Sequence, residues 1–544
     1  MDVRAQRELG RGRNRQKIAP ATAGPALGAL SAVVLLGCAV SAAAVSLTGQ
    51  LSPPLTVDVA NVLPRERTDL NARDMARVAA ITAPTSDFSK PERFEMMAGG
   101  ATTSRAAQND RAFSHYSANM AFEARENFYL GSALFDKLWV SSPSSTLASD
   151  GLGPLFNARG CVRCHVNNGR GHAPSGVDDT AVSMLMRLSV PPATRADEAT
   201  LASLDQLTIA EPNYGIQLQD FAVPGLRAEG RLRIAWEEHT VALAGGETVR
   251  LRRPVSQLTD LSRGAFASGT MTSLRVANPM IGLGLLEAIH PADIAALADP
   301  DDADGDGISG KASIVRDRES GALALGRFGW KATAPSLRVQ TGEAFAGDIG
   351  ISNPVIADAF GDCAVSHAEC RALPTGVQAH LGGTEAPDPV LELVTYFSQH
   401  LAVPARRDVD HPEVLAGKAL FYQAGCASCH TPKFVTSREA INPEHRFQLI
   451  WPYTDMLLHD MGEGLADHRP VGVASGREWR TPPLWGIGLT PVVNGHMELL
   501  HDGRARGVLE AILWHGGEAE AARQEVVEMN PEERAQLIRF VESL

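Results

Sequence analysis

The sequence predicts a mainly α-helical protein made of two related helical units, the first enlarged by insertions that include a small β element. Three observations predict it. The pentapeptide Cys161-Val162-Arg163-Cys164-His165 returns as Cys426-Ala427-Ser428-Cys429-His430. A helix-patterned stretch reading G-x-x-L-F leads toward each copy, at Gly131–Phe135 and at Gly417–Phe421. A further amphipathic stretch that opens on proline, a favourable first-turn residue, follows each copy, at Pro389 to Leu401 and at Pro531 to Leu544. Together these give a degenerate two-fold repeat, with a first unit over 91–404, a second over 411–544, and Ala402 to Asp410 as the linker.

The chain begins with a basic stretch, Arg4, Arg7, Arg11, Arg13, Arg15 and Lys17, followed by an uncharged and mostly apolar run from Gly24 to Val45. A positive region before an apolar one is the pattern of an export signal or of an uncleaved membrane anchor, so 1–45 is read as such a segment. Leu35-Leu36-Gly37-Cys38 also resembles a lipoprotein processing site, which would place a lipid on Cys38, whereas the small residues at Ser41–Ala44 offer ordinary cleavage. Residues 46–90 carry Pro53, Pro54, Pro64 and Pro84 with little sustained pattern and read as a tether.

Export implies a periplasmic location, with or without membrane or lipid anchoring. The cysteines agree. Apart from Cys38 and the two pentapeptides, Cys363 and Cys370 remain, spaced to close a small disulfide loop in an oxidising compartment. The formal net charge of −13 makes nucleic acid a poor partner.

The spacing C-x-x-C-H has a chemical reason. Two thiols three positions apart on one helical turn can each add to a vinyl group of the same porphyrin, and the next residue brings an imidazole beneath the iron. A zinc site would need four Cys or His ligands around one ion and would give the His after each second Cys no role. Two covalently bound haems c are therefore expected, on Cys161, Cys164 and His165 and on Cys426, Cys429 and His430, which makes each unit a cytochrome c-like haem domain.

Within the first unit, alternation over 228–255 around Gly245-Gly246 predicts a β-hairpin or small sheet that covers a haem edge. Asp302, Asp304 and Asp306 alternate ahead of Gly307 like the first half of a calcium loop, though Ser313 stands where the closing Glu of an EF-hand would be. Met461, in a glycine-containing loop 31 residues after His430, is the candidate second axial ligand of the second iron. The first iron has no clear partner; Met280 is its best Met, and Met184 and Met186 read as apolar packing positions. Glu287, among apolar neighbours that would raise its pKa, is the candidate acid/base group at an open first iron. Trp330 and Trp485 read either as core residues or as residues between the haems.

With these residues in place, the chain resembles the bacterial di-haem oxidoreductase family, whose members are labelled peroxidases or thiol oxidoreductases. The resemblance rests on Asp150 to Arg159 before Cys161, Asn168-Gly169-Arg170-Gly171 after His165, Gly282 to Ile289, the Asp-rich loop and Gly326 to Leu337. It continues through Tyr453 to Ser475, Arg480 to Trp485 and His501 to Gly517. A more distant similarity to di-haem cytochrome c peroxidases rests on Thr481-Pro482-Pro483-Leu484 and His501-Asp502-Gly503, but Trp485-Gly486 stands where those proteins have Arg-Asn. The resemblance implies a two-lobed, mainly helical cytochrome c fold in the periplasm. The expected function is that of a di-haem c-type oxidoreductase in which electrons enter at the second haem, from a protein or the quinone pool, and are used at the first, with peroxide as candidate oxidant. The alternative is a non-catalytic di-haem electron carrier. Thiol chemistry is disfavoured, because thioether formation consumes the cysteines.

Overall fold

The computed structural model describes residues 59–176, 179 and 182–544. The expected signal or anchor segment, Cys38 included, lies outside the described residues. Among the described residues no helix is long and apolar enough to cross a membrane.

Four helices set the frame. Helix α1 (Arg125–Asp136) buries Phe128, Gly131 and Phe135, three positions on one face, and α2 (Asp388–His400) starts with Pro389 in its first turn and buries Leu391, Val394 and Phe397. The two cross at Gly131, where a Cβ would run into the carbonyl oxygen of Leu393. Phe397 then reaches both aromatics of α1, at 5.0 Å from Phe128 and 5.2 Å from Phe135. Helices α3 (Pro412–Gln423) and α4 (Pro531–Ser543) repeat the arrangement. Gly417 is their crossing point, with Gln536 carbonyl oxygen in the place a Cβ would need, and Phe421 lies 5.2 Å from Phe540. The start of α4 is fixed by a capping box: Asn530 accepts from the backbone of Glu533, and the Glu533 carboxylate accepts from the backbone of Asn530.

The insertion in the first half is a long antiparallel hairpin, β2 (Arg231–Ala242) with β3 (Thr248–Thr259), after a strand β1 (Met184–Ser189) that pairs with β4 (Met271–Val276). The hairpin turns at Gly245 and Gly246, both at positive φ (86° and 82°), a conformation that glycine adopts without steric cost. Its tip rests on the C-terminal helices: Ala244 N–H donates to the Val527 carbonyl, and Arg534 reaches Glu247 at 2.6 Å. Met184, Met186 and Leu188 alternate inward along β1, so both methionines are core residues.

The region expected to be a patternless tether holds a helix, Ala72–Thr82, with the Asn71 side chain capping its start. Arg67, just before it, donates to Asp69, Asp293 and the Val435 carbonyl, which fastens this stretch to both halves of the chain. Prolines around a short helix hid it. Residues Pro54–Leu544 form one unit whose main core mixes Leu285, Trp330 and Val403 with Phe421, Tyr453, Trp485 and Phe540.

Candidate functional site

Each C-x-x-C-H sequence forms one tight turn held by its first cysteine. The Cys161 carbonyl accepts from the N–H groups of Cys164 (3.1 Å) and His165 (3.0 Å), and the Cys426 carbonyl accepts from Cys429 and from His430 (3.0 Å). The Phe of each G-x-x-L-F stretch packs beside the histidine that follows: Phe135 lies 6.1 Å from His165, Phe421 lies 6.4 Å from His430. Each imidazole donates Nδ1–H to a backbone carbonyl, His165 to Asn278 and His430 to Tyr453, both at 2.8 Å. That bond fixes the tautomer and leaves Nε2 as the lone-pair nitrogen, the form a metal-ligating histidine needs. Burial keeps both rings neutral, lowering His165 and pulling His430 down to about 4.

Burial has the opposite sense for the thiols. It pushes Cys161 and Cys426 up to about 12 and raises Cys164 and Cys429 as well. Thiols so raised are poor thiolates, which disfavours thiol–disulfide catalysis. Among the described residues the clusters with metal-ligand spacing are Cys429–Asp455–His459 and Asp299–Asp302–Asp304, and neither brings the two cysteine pairs together.

The second turn opens into a cavity of about 440 Å³. Cys426, Cys429, His430 and Phe421 line it, together with Met461, so the candidate axial pair shares one space. Trp485 lines it too, and its buried indole N–H has no protein acceptor. A slot of this size with two thiols, a lone-pair imidazole and an unmatched donor fits a haem, whose carboxylates would supply the acceptor.

Sequence reasoning gave no role to three residues of this wall, His459, His501 and Glu518. His459 is clamped between Asp455 (2.8 Å) and Glu518 (2.6 Å) and lies 3.7 Å from Cys429 Sγ. Burial opposes its charge, but the two carboxylates override it and hold the imidazole up at about 12. His501 stacks on Trp479 at 3.8 Å and 10°, and burial holds it down to about 3. The signal for His459 was its place two residues before Met461; nothing local pointed to Glu518.

The first turn is fastened to the second half. Asn167 donates to the Val493 carbonyl and Asn494 to the Val166 carbonyl, both at 2.9 Å. Arg170 N–H donates to Asn494 at 3.0 Å, and its guanidinium lies over Trp330, another cavity-lining residue. The two sites share a wall: the Asn278 carbonyl holds His165, and the next residue, Pro279, lines the cavity that holds His430.

Met280 continues that wall, with its N–H on the Asn168 carbonyl and its side chain against the cluster that includes Cys161. Glu287 is buried, which raises its pKa, and its carboxylate accepts from Leu337 N–H and from Gln399, both at 2.7 Å. In the acidic loop, Asp299 joins Asp302 and Asp304, whose carboxylates lie within 4.8 Å of one another. Asp306 is outside this trio and lines the cavity of the second turn instead. Cys363 and Cys370 form a disulfide.

A solved structure of hydrazine synthase from Kuenenia stuttgartiensis is 12% identical, covers 65% of this chain and 90% of its own, and superposes with a TM-score of 0.24. No curated protein sequence matches the chain at a significant level. The family described as "Di-haem oxidoreductase, putative peroxidase" matches residues 94–544, and the chain belongs to it.

Proposed function

We propose that the protein is a periplasmic di-haem c-type oxidoreductase in which electrons enter at the second site and are used on a small oxidant, such as peroxide, at the first. Bound haem would supply electron storage at both sites and a coordination position for the oxidant. Cys161 and Cys164, and Cys426 and Cys429, would hold the porphyrins as thioethers. His165 and His430 would give their Nε2 atoms to iron, with orientation set by the Asn278 and Tyr453 carbonyls. Met461 is the proposed second ligand at the second site, a pairing that raises potential.

The observation that carries the reading is the shared wall, Asn278–Pro279, with one residue facing each site. A periplasmic location draws support from the Cys363–Cys370 disulfide. Glu287 is assigned a positioning role, since its two bonds tie the Leu337 backbone and the Gln399 side chain together around it. Calcium is proposed for Asp299, Asp302 and Asp304, and a rise in melting temperature on adding calcium would support it.

Electron paramagnetic resonance of the oxidised and half-reduced protein, with and without peroxide, tests the main reading. One high-spin and one low-spin signal, the high-spin one altered by peroxide, is the expected result. Two low-spin signals indifferent to peroxide would leave an electron carrier.

A further inference from the structure

Behind the first turn lies a group of acids and amides, buried at Asn157, Gln217, Gln219 and Glu229 and part-buried at Asp220, Asp348 and Asp362, that the proposed function leaves without a role. Asn157 donates to Asp220 Oδ2 at 3.2 Å and accepts from Gln217 Nε2, which also faces Asp348 Oδ1 at 3.0 Å. Gln217 and Gln219 both aim Nε2 at the carbonyl of Gly347, at 3.3 and 2.9 Å. Gln219 N–H donates to Glu229 Oε2 at 2.9 Å, and Gln217 N–H donates to Asp362 Oδ2 at 2.8 Å. The group adjoins the first site: the charge of Asp348 acts on Cys161, and those of Asp348 and Asp220 act on Cys164.

Gln217, Gln219 and Glu229 are each 0% exposed, and the Oε1 atom of each is buried with no donor. Their other side-chain atoms meet at the Gly347 carbonyl and the Gln219 backbone, so the three residues with unmatched oxygens belong to one hydrogen-bonded network. An unmatched buried acceptor is destabilising unless a donor reaches it. Protonated carboxyl groups and internal water are donors of the kind that fits. A multivalent cation fits less well, because no three carboxylate oxygens converge here as they do in the 299–304 loop.

We propose that this cluster is the proton store of the first site: Glu229 carries a standing proton, and Asp220 takes up one proton from water when an electron reaches that site. The proposal rests on the haem-binding part of the proposed function, a redox-active haem on the first turn. In the step, a one-electron donor would be oxidised and the haem held by the first turn would take its electron, while an O–H bond of a hydronium ion breaks as one O–H bond forms on the Asp220 carboxylate. The charge of the site and cluster together is unchanged, which is what a low-dielectric interior favours.

Burial pushes Asp220 up to about 6, Asp362 to about 7 and Glu229 to about 9. Facing Asp220 are Asn157, the Leu232 N–H and, at longer range, Arg231 of β2. Facing Glu229 are Asp362, Glu211 and Arg263, and Arg187 of β1 faces Asp362.

The test is a spectroelectrochemical titration of the haem-loaded protein across a pH series, following the two haems by their separate spectra. The first potential is expected to fall as pH rises above about 6, while the second stays level. Asp220→Asn is expected to abolish the fall. Should that variant lose haem, Asn157→Ala keeps the acid but removes its donor, and is expected to move the onset of the fall to higher pH. A first potential that is level in the native protein, or that falls equally in both variants, overturns the assignment of Asp220. Infrared spectroscopy reads Glu229 independently: a protonated carboxyl band at neutral pH that disappears in Glu229→Gln is expected, and its absence from the native protein overturns the standing proton. If resonance shows two low-spin haems and the pH-dependent potential persists, the catalytic reading fails and the proton store stands.

Discussion

The buried carboxylates of the two halves are neutralised in different ways. Around the second turn they meet cations. Asp455 and Glu518 flank His459, Asp467 joins Arg275 and Lys331 at 2.8 and 3.0 Å, Asp502 joins Arg504, and Glu95 joins Arg406 and Lys418. In the first half several meet neutral donors instead. Glu211 accepts from the backbone of Asn213, Tyr214 and Ala267, Glu385 from Ser352 and Gly376, Glu287 from Leu337 and Gln399, and Asp220 from Asn157. A carboxylate locked to a buried cation keeps its charge over a wide pH range, whereas one held by amides can gain a proton near neutrality. The second site therefore has a fixed electrostatic background and the first an adjustable one, which suits electron storage at one and proton-consuming chemistry at the other.

The comparison can be broken most directly at Asp467. Asp467→Asn leaves Lys331 and Arg275 buried without their counter-charge, and a loss of about 3–5 kcal/mol in urea denaturation is expected. Equal tolerance of Asp467→Asn and Asp220→Asn would dissolve the contrast. Glu229 gives the next effect, one that appears only with pH. Its folded pKa, about 9, lies above its ordinary 4.5, so between those values the unfolded chain has already released the proton that the folded chain retains. Folding stability then falls as pH rises, by up to about 1.4 kcal/mol per pH unit from this one group. Glu229→Gln should flatten that slope in melting curves taken across the window.

Glu287→Gln should cost about 1 kcal/mol, since it trades one hydrogen-bonding carbonyl for another and changes how Leu337 and Gln399 are met. A loss of the size expected at Asp467 would mean that Glu287 is ionised and that Arg327 matters to it. The smallest effect belongs to the hairpin tip. Glu247 is half exposed, so Glu247→Ala should remove about 0–1 kcal/mol and leave both haem spectra alone.

Much of the frame was legible because it rests on periodicity. The G-x-x-L-F stretches and the proline-opened helices announce themselves by spacing, and the crossings at Gly131 and Gly417 follow from where a small residue falls among large ones. The hairpin was legible from alternation around two glycines. What orients the histidines was not, because Asn278 and Tyr453 act through backbone carbonyls that any residue could supply. The clamp on His459 was hidden by distance, as Glu518 lies 59 residues away. In the acidic loop, spacing singled out Asp302, Asp304 and Asp306, whereas the carboxylates that the fold brings together are those of Asp299, Asp302 and Asp304.

The bonds that tie the turn after His165 to Val493 and Asn494 have a consequence for anyone who would take the protein apart. A fragment ending before the second half would leave Asn167, the Val166 carbonyl and the Arg170 N–H facing water and would bare one side of the first turn. The two halves are therefore not interchangeable cassettes. They are better regarded as a grafted pair in which each supplies part of its neighbour's bark, so a chimaera must carry the 490–494 segment along with the first cysteine pair.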